Sequence, residues 1–179
     1  MSAEELRSHE ETAAVRFRCG VGMAILDGCG RVLTFERADA PGSFQLPQGG
    51  MEDDESPIGT MWRELGEETG LSDAHVAVVA EVPEWLGYEL PPVARSNKTG
   101  RGQVQKWFIL RAVGDDLPIV VGDGGNAEFR SWRWSHLSEL ADQVVPFRRP
   151  VYRRLAAFVA ALEADPPPGA DPPPVGSRA

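Results

Sequence analysis

At 179 residues, 42% of them hydrophobic, the chain is long enough for one domain with a real core. A formal net charge of −9 argues against a sequence-independent nucleic-acid binder, which needs excess lysine and arginine to displace counterions from phosphates. Cys19 and Cys29 are too few and too close for a disulfide scaffold and read as small buried thiols, and His9, His75 and His136 lack zinc-ligand spacing and read as surface residues.

In chain order, residues 1–14 read as a polar, flexible start without the apolar run of a signal peptide. No segment is apolar enough to span a bilayer, so the expected location is the cytoplasm. From Arg16, the segment VRFRCGVGMAIL alternates and then becomes continuously apolar, which predicts a strand entering a core. Asp27 to Gly30 supply a turn and Arg31 to Arg37 a partner strand, giving a hairpin. Ala38 to Gly42 form a loop, and Phe44 to Leu46 a short extended piece before Pro47.

The next stretch, Gly49 to Leu71, carries seven acidic residues (Glu52, Asp53, Asp54, Glu55, Glu64, Glu67, Glu68) against one basic residue, Arg63. Ser56 followed by Pro57 predicts a helix start, because the serine hydroxyl accepts a free backbone N–H and proline lacks one where it is dispensable. Gly70 predicts its end, in the left-handed conformation that glycine adopts cheaply. Ile58, Met61, Trp62 and Leu65 recur at helical spacing as one face, with Thr60, Glu64, Glu67 and Glu68 on another. At about 3.6 residues per turn the three carboxylates converge and repel each other, unless a hard divalent cation takes them as oxygen ligands. Arg63 stands four residues before Glu67, within pairing reach.

Beyond the helix, valine-rich Ala74 to Val82 predicts a strand that Trp85 to Leu90 continues past Pro83. Pro91 to Gly102 reads as a mobile loop, Gln103 to Val113 as a central strand, Asp115 to Asn126 as loop, and Phe129 to Trp134 as a further strand with Trp132 and Trp134 on one face. Pro150 to Glu163 is an amphipathic helix whose buried stripe is Val151, Leu155, Phe158, Val159 and Leu162. From Asp165 six of the last fifteen residues are proline, which predicts a disordered tail. The organisation is thus a start at 1–14, one domain at 15–164 and a tail at 165–179. Interleaved elements point to helices on both sides of a mixed sheet. Two basic groups, Arg95, Lys98, Arg101 and Lys106, then Arg148, Arg149, Arg153 and Arg154, suit a small polyphosphate beside an acidic metal site.

The acidic stretch resembles the signature of the Nudix hydrolases. All nine fixed positions of that box are matched, by Gly49, Glu55, Arg63, Glu64, Leu65, Glu67, Glu68, Gly70 and Leu71. The resemblance extends over roughly Arg16 to Phe158. It is nearest the branch of bacterial RNA pyrophosphohydrolases and asymmetrically cleaving dinucleoside tetraphosphate hydrolases, through SFQLPQGGM, WLGYELP, GQVQKWF, EFRSWRW and VVPFRRPVYRR. It implies an α/β fold, the Nudix α/β/α sandwich with a mixed β-sheet. It also implies Arg18 and Arg37 on substrate phosphates, Tyr88 and Lys106 in or beside the phosphate cleft, an additional acid at Glu128, a base-stacking aromatic at Phe147 and a basic residue at Arg148. Phe147 as a core residue is the other reading of that position.

The function expected is metal-dependent hydrolysis of a phosphoanhydride in a nucleoside 5′-polyphosphate, either a dinucleoside polyphosphate or a triphosphorylated RNA 5′ end. Glu64, Glu67 and Glu68, with the Gly49 carbonyl as a further candidate, are the expected ligands of Mg2+ or Mn2+, more than one ion being present with substrate bound. Glu64 and Glu128 both stand as candidates for the general base, with Arg63 and Glu55 supporting the geometry. Other Nudix substrates, namely nucleoside triphosphates, oxidised nucleotides and nucleotide sugars, are a second enzymatic reading. A nucleotide-sensing module on the same scaffold is the non-enzymatic one. No membrane partner is expected, and the sequence sets no oligomeric state.

Overall fold

The computed structural model describes residues 16–114, 116–122 and 128–165. The polar start at 1–14, the proline-rich tail after Asp165 and part of the 115–126 loop therefore lie outside the described residues.

Two long strands organise the sheet. β1 (Phe17–Leu26) and β7 (Gly102–Ala112) run parallel, in register from Phe17 opposite Gly102 to Leu26 opposite Arg111. Both are covered on two faces, as their near-continuous apolar runs require. The other strands are β2 (Val32–Arg37), β3 (Phe44–Gln45), β4 (Gln48–Gly50), β5 (Val76–Glu81), β6 (Leu86–Glu89) and β8 (Phe129–Ser135). All of their pairings are antiparallel, so the eight-stranded sheet is mixed.

Each central strand takes two partners end to end along its outer edge. β1 pairs with β4 at Gly20 to Gly22 and with β2 only at Leu26, while β7 pairs with β6 at Gly102 to Gln105 and with β5 at Phe108 to Ala112. The sheet forks at both flanks. The expected β1–β2 hairpin is accordingly closed at its root alone, and β2 spends its length on β8 and β3.

Helix α1 (Pro57–Thr69) covers one face of the sheet; α2 (Leu137–Gln143) and α3 (Arg149–Ala164) cover the other. Beneath α1 lie Val21, Met23, Ile25, Phe35, Phe108, Leu110 and Phe129, with Met61 and Leu65 of the helix itself. On the opposite face Trp107 and Ile109 meet Tyr152, Leu155 and Val159 of α3. Each large side chain fully buried in this way contributes about 1.5–3 kcal/mol. This is the α/β/α sandwich.

The ends of α1 are where the sequence put them. Ser56 Oγ accepts the Gly59 N–H (3.2 Å), Pro57 opens the helix, and Gly70 closes it at φ 73° with its N–H on Gly66 O (3.0 Å). Its faces differ in detail from the expectation. Ile58 is 40% exposed, whereas Thr60 is buried, its hydroxyl bonded to Glu55 Oε2 and Ser56 O. Both cysteines are exposed, not buried: Cys19 lies in the part of β1 that extends beyond the core, and Cys29 lies in the turn. His75 is half-buried, its Nδ1 bonded to the Ser72 N–H (3.0 Å). The Pro91 to Gly102 segment is tied internally, with a short helical turn at Pro92–Ala94 and Thr99 Oγ1 bonded to Ala94 O (2.9 Å). No described helix is long and apolar enough to cross a membrane.

Candidate active site

The site forms where β4 meets α1. Gly20 of β1 and Gly49 of β4 permit that approach, since a Cβ on Gly20 would stand 2.5 Å from the Gly49 carbonyl oxygen. A Cβ on Gly49 would overlap the Glu64 carboxylate. The glycines are required by what lies against them.

Arg63 is the hub of the acidic cluster. Its Nε and Nη2 donate to the two oxygens of Glu55 (2.7 and 2.8 Å), and Nη2 also reaches Gly50 O (2.9 Å). Nη1 donates to Glu64 Oε1 (2.9 Å) and Glu67 Oε2 (3.2 Å). One guanidinium thus ties the start of the helix, strand β4 and two carboxylates into one geometry, which its rigid fork of donors makes possible. Glu55 also accepts from the Glu52 N–H (3.0 Å) and Thr60 Oγ1 (2.9 Å). The Arg63 bonds first, and the Glu52 N–H second, hold its carboxyl down at about 2. Glu55 is a permanently charged strut.

Glu64 and Glu68 differ from it. Burial raises the Glu64 carboxyl; Arg63 opposes this, and the charges of Glu67 and Glu128 add to it. Burial raises Glu68 far more, and the adjacent Glu128 and Glu64 carboxylates push it the same way. Glu68 Oε2 accepts the Gln48 N–H (3.1 Å), whereas the rest of its carboxyl is buried beside that of Glu128, within hydrogen-bond reach when one of the two holds a proton. Glu128, placed at the start of β8, is therefore brought to the helix carboxylates from outside the box.

A divalent cation fits this donor set. It would relieve repulsion that the protein's own cations leave in place, since Arg63 is spent on one oxygen each of Glu64 and Glu67. Among the described residues no three acidic, histidine or cysteine side chains close into a ready-made cage. Magnesium is commonly held by one or two carboxylates with substrate phosphates completing the shell.

The wall opposite α1 is a chain of polar contacts. Arg37 is held by Asp39 (Nε to Oδ1 2.8 Å, Nη2 to Oδ2 2.6 Å), within the electrostatic reach of Glu128, and its Nη1 approaches Gln45 Oε1 (3.5 Å). Gln45 Oε1 also accepts from Arg148 Nη1 (2.7 Å), whose guanidinium lies 5.3 Å from the Tyr88 ring centre. Tyr88 is buried, 5.5 Å from the half-buried Phe147 ring, and its hydroxyl donates to Gln103 Oε1 (2.9 Å). Gln105 Nε2 bridges Gln103 Oε1 and Gln48 Oε1 (both 3.1 Å), which returns the chain to the strand beneath Glu68. Arg18 stands against Gly50, at the same fork.

Of the residues singled out in the sequence, Arg37, Tyr88, Phe147 and Arg148 meet on this wall, and Glu64, Glu67, Glu68, Glu128, Arg63 and Gly49 meet across from it. Lys106 sits on β7 in the register row of Gly49, two strands away, with its Nζ bonded to Pro83 O (2.9 Å) and Glu81 Oε1 (2.8 Å) beside β5. Several other cations are likewise spent on carboxylates, Arg95 and Arg101 on Glu89, Arg153 on Asp142 and Arg154 on Glu84. Gln45, Gln48, Gln103 and Gln105 carry no charge or motif signal in the sequence that marks them as site residues. Only the period-two spacing of Gln103 and Gln105, which puts both on one face of β7, hinted at them.

A sandwich with this box on its first helix defines a Nudix hydrolase, and the Nudix domain model matches residues 16–155. The chain belongs to the Nudix family. It is 43% identical over 149 residues to the RNA pyrophosphohydrolase of Acidiphilium cryptum, covering 80% of this chain and 90% of that one. To the RNA pyrophosphohydrolase of Rhodospirillum rubrum it is 37% identical over 158 residues, covering 87% and 94%. Among solved structures, a C. elegans Ap4A hydrolase binary complex superposes with a TM-score of 0.61 at 17% identity, over 80% of this chain and 98% of that one. The E. coli dihydroneopterin triphosphate pyrophosphohydrolase gives 0.62 at 17%, over 79% and 98%. These two likenesses establish the fold.

Proposed function

We propose that this Nudix hydrolase cleaves a phosphoanhydride at the triphosphorylated 5′ end of RNA, using an activated water, with dinucleoside polyphosphates as the next substrate in preference. The observation that carries the chemistry is the buried Glu68 carboxyl crowded by Glu64 and Glu128, a concentration of negative charge that a divalent cation would balance. The choice of RNA is supported by relatives named for that activity at 43% and 37% identity.

Glu64, Glu67 and Glu68, with the Gly49 carbonyl, are the residues that would hold Mg2+ or Mn2+, more than one ion being present with substrate. When bound, the ions neutralise phosphate oxygens and lower the pKa of water. Arg63 keeps Glu64 and Glu67 aimed. Glu64 or Glu128 takes the proton from the attacking water, since the charges of both reach Glu68. Arg37 and Arg18 hold phosphate oxygens, and Arg148 with Phe147 and Tyr88 receives the first nucleoside. The two exposed free thiols suit a reducing compartment such as the cytoplasm.

The test is a panel with magnesium or manganese and identified products: triphosphorylated RNA, diadenosine tetraphosphate, nucleoside triphosphates and nucleotide sugars. RNA should give the highest kcat/KM. Glu67→Gln and Glu68→Gln should each cut turnover by orders of magnitude with the circular dichroism spectrum unchanged. Near-normal turnover in both variants, or a nucleotide sugar as the preferred substrate, defeats the reading.

A further inference from the structure

At the far end of β2 and β8 from the acidic cluster, a second arrangement is unused by this chemistry. The Arg133 guanidinium lies 3.7 Å from the Phe44 ring centre, so one of its faces rests on the phenyl ring. Arg133 also lines a cavity of about 360 Å³, together with Arg31, Ser135, His136, Glu139 and Gln143. That volume falls in the roughly 300–1,000 Å³ range of small-ligand sites. Among the described residues no carboxylate comes within ion-pair distance of Arg133, though Glu36 lies within its electrostatic reach, and its one side-chain hydrogen bond is a long contact to Gln143 Oε1 (3.5 Å). Arg31 is held by Asp27 through Nε (2.7 Å), which leaves its terminal Nη donors for an anion.

The cavity is connected to the active site by strand register. Phe129 stands opposite Arg37 at the catalytic end, then Arg133 opposite Thr34 and Ser135 opposite Val32. At about 3.3 Å per residue, the cavity spans about 10 to 17 Å from Arg37. Between the two, Glu36 is the acid on the path, and Ser131 Oγ (2.6 Å) and Arg130 (3.6 Å) already engage it.

We infer that this cavity is a subsite for a downstream nucleotide of an RNA substrate, its base stacked on the free face of Arg133 and its phosphate held by Arg31 and His136. Single-stranded RNA is recognised by such stacking on guanidinium planes, combined with cations on phosphates. A stacked strand advances about 3.4 Å per nucleotide, so a chain anchored at Arg37 reaches the cavity after about three to five nucleotides. The inference rests on the RNA reading above, and its test separates the two.

KM and kcat are measured on triphosphorylated RNAs of two and of eight nucleotides, for the wild type, Arg133→Ala and Arg133→Lys, with melting temperatures alongside. Arg133→Ala should raise KM for the octamer about tenfold and leave both constants for the dinucleotide unchanged. Arg133→Lys, which keeps the charge and loses the plane, should recover part of the loss. A shift of equal size at both lengths, or none, overturns the subsite while leaving the RNA reading intact. Should neither RNA be hydrolysed, the RNA reading falls, and fluorescence anisotropy with a 5′-monophosphorylated octamer still decides the subsite, since it needs no turnover. An octamer Kd unmoved by Arg133→Ala, or free adenosine monophosphate binding there as tightly as the octamer, overturns the assignment.

Discussion

Gly49 in β4 and Glu64 in α1 share one volume: a Cβ placed on the glycine would fall within the carboxylate of the glutamate. Neither can shift freely, because Gly49 is paired to Val21 of β1 and Arg63 holds Glu64 Oε1 at 2.9 Å. Gly49→Ala should therefore swing the carboxylate away from the cluster. A displacement of about 1 Å at a reacting group can cost a hundredfold in rate, so kcat should fall by about that factor. The overpacking itself should cost about 1–3 kcal/mol of stability, read from denaturant unfolding. A variant with wild-type kcat would show that the carboxylate can be accommodated elsewhere.

Arg63 acts through the groups it holds, which makes it a positioning residue. Lysine in its place keeps the charge but has no planar fork to reach Glu55, Glu64, Glu67 and Gly50 O together. Arg63→Lys should lower kcat about tenfold or more with KM nearly constant, because its donors are already taken by protein groups. If KM rose and kcat held, Arg63 would have to be a substrate ligand instead.

The helix ends were legible because their signals are local: a serine hydroxyl, a proline ring and a left-handed glycine each act within one turn. β7 was legible because burial on both faces demands an unbroken apolar run. β4 was not, since three residues containing two glycines carry no hydrophobic pattern, and only pairing with β1 makes them a strand. α2 escaped for a related reason: its seven residues start at His136 without a side-chain cap bond, and it is held by Leu137 and Leu140 against the core. The box carboxylates were visible as a cluster because charges at helical spacing must be balanced. The glutamine network was not, because neutral amides impose no such demand and acquire meaning only when three strands bring them together.

Glu68 and Glu64 both carry carboxyls raised above the ordinary value of 4.5, with Glu68 shifted further. Above that value the unfolded chain has released these protons, while the metal-free native state retains that of Glu68. Stability of the metal-free protein is then greatest at or below the unfolded pKa and falls as pH rises toward the native one, by up to about 1.4 kcal/mol per pH unit for one proton. Between about pH 5 and about pH 8 the melting temperature of protein treated with a chelator should decline, and Glu68→Gln should flatten the decline. Magnesium binding should release close to one proton, measured by calorimetry in two buffers of different ionisation enthalpy. A flat profile in the wild type, or binding without proton release, would mean that Glu68 is already charged.

Phe147 lies half-buried, 5.5 Å from Tyr88 at a tilt of 39°, so its ring rests on a buried aromatic and keeps part of its surface exposed. A nucleobase stacked on the free part would gain roughly 1–3 kcal/mol. Phe147→Ala should thus raise KM for RNA about tenfold, at about 1.4 kcal/mol per tenfold, with kcat nearly unchanged because stacking acts alike on ground and transition states. A phenylalanine serving only as core would instead lose about 3–5 kcal/mol of stability on truncation. Partial burial sets the expected stability loss below that range, so the unfolding midpoint and KM must be measured on the same variant. A large drop in the midpoint with KM unmoved would place Phe147 in the core and leave Arg148 to meet the base.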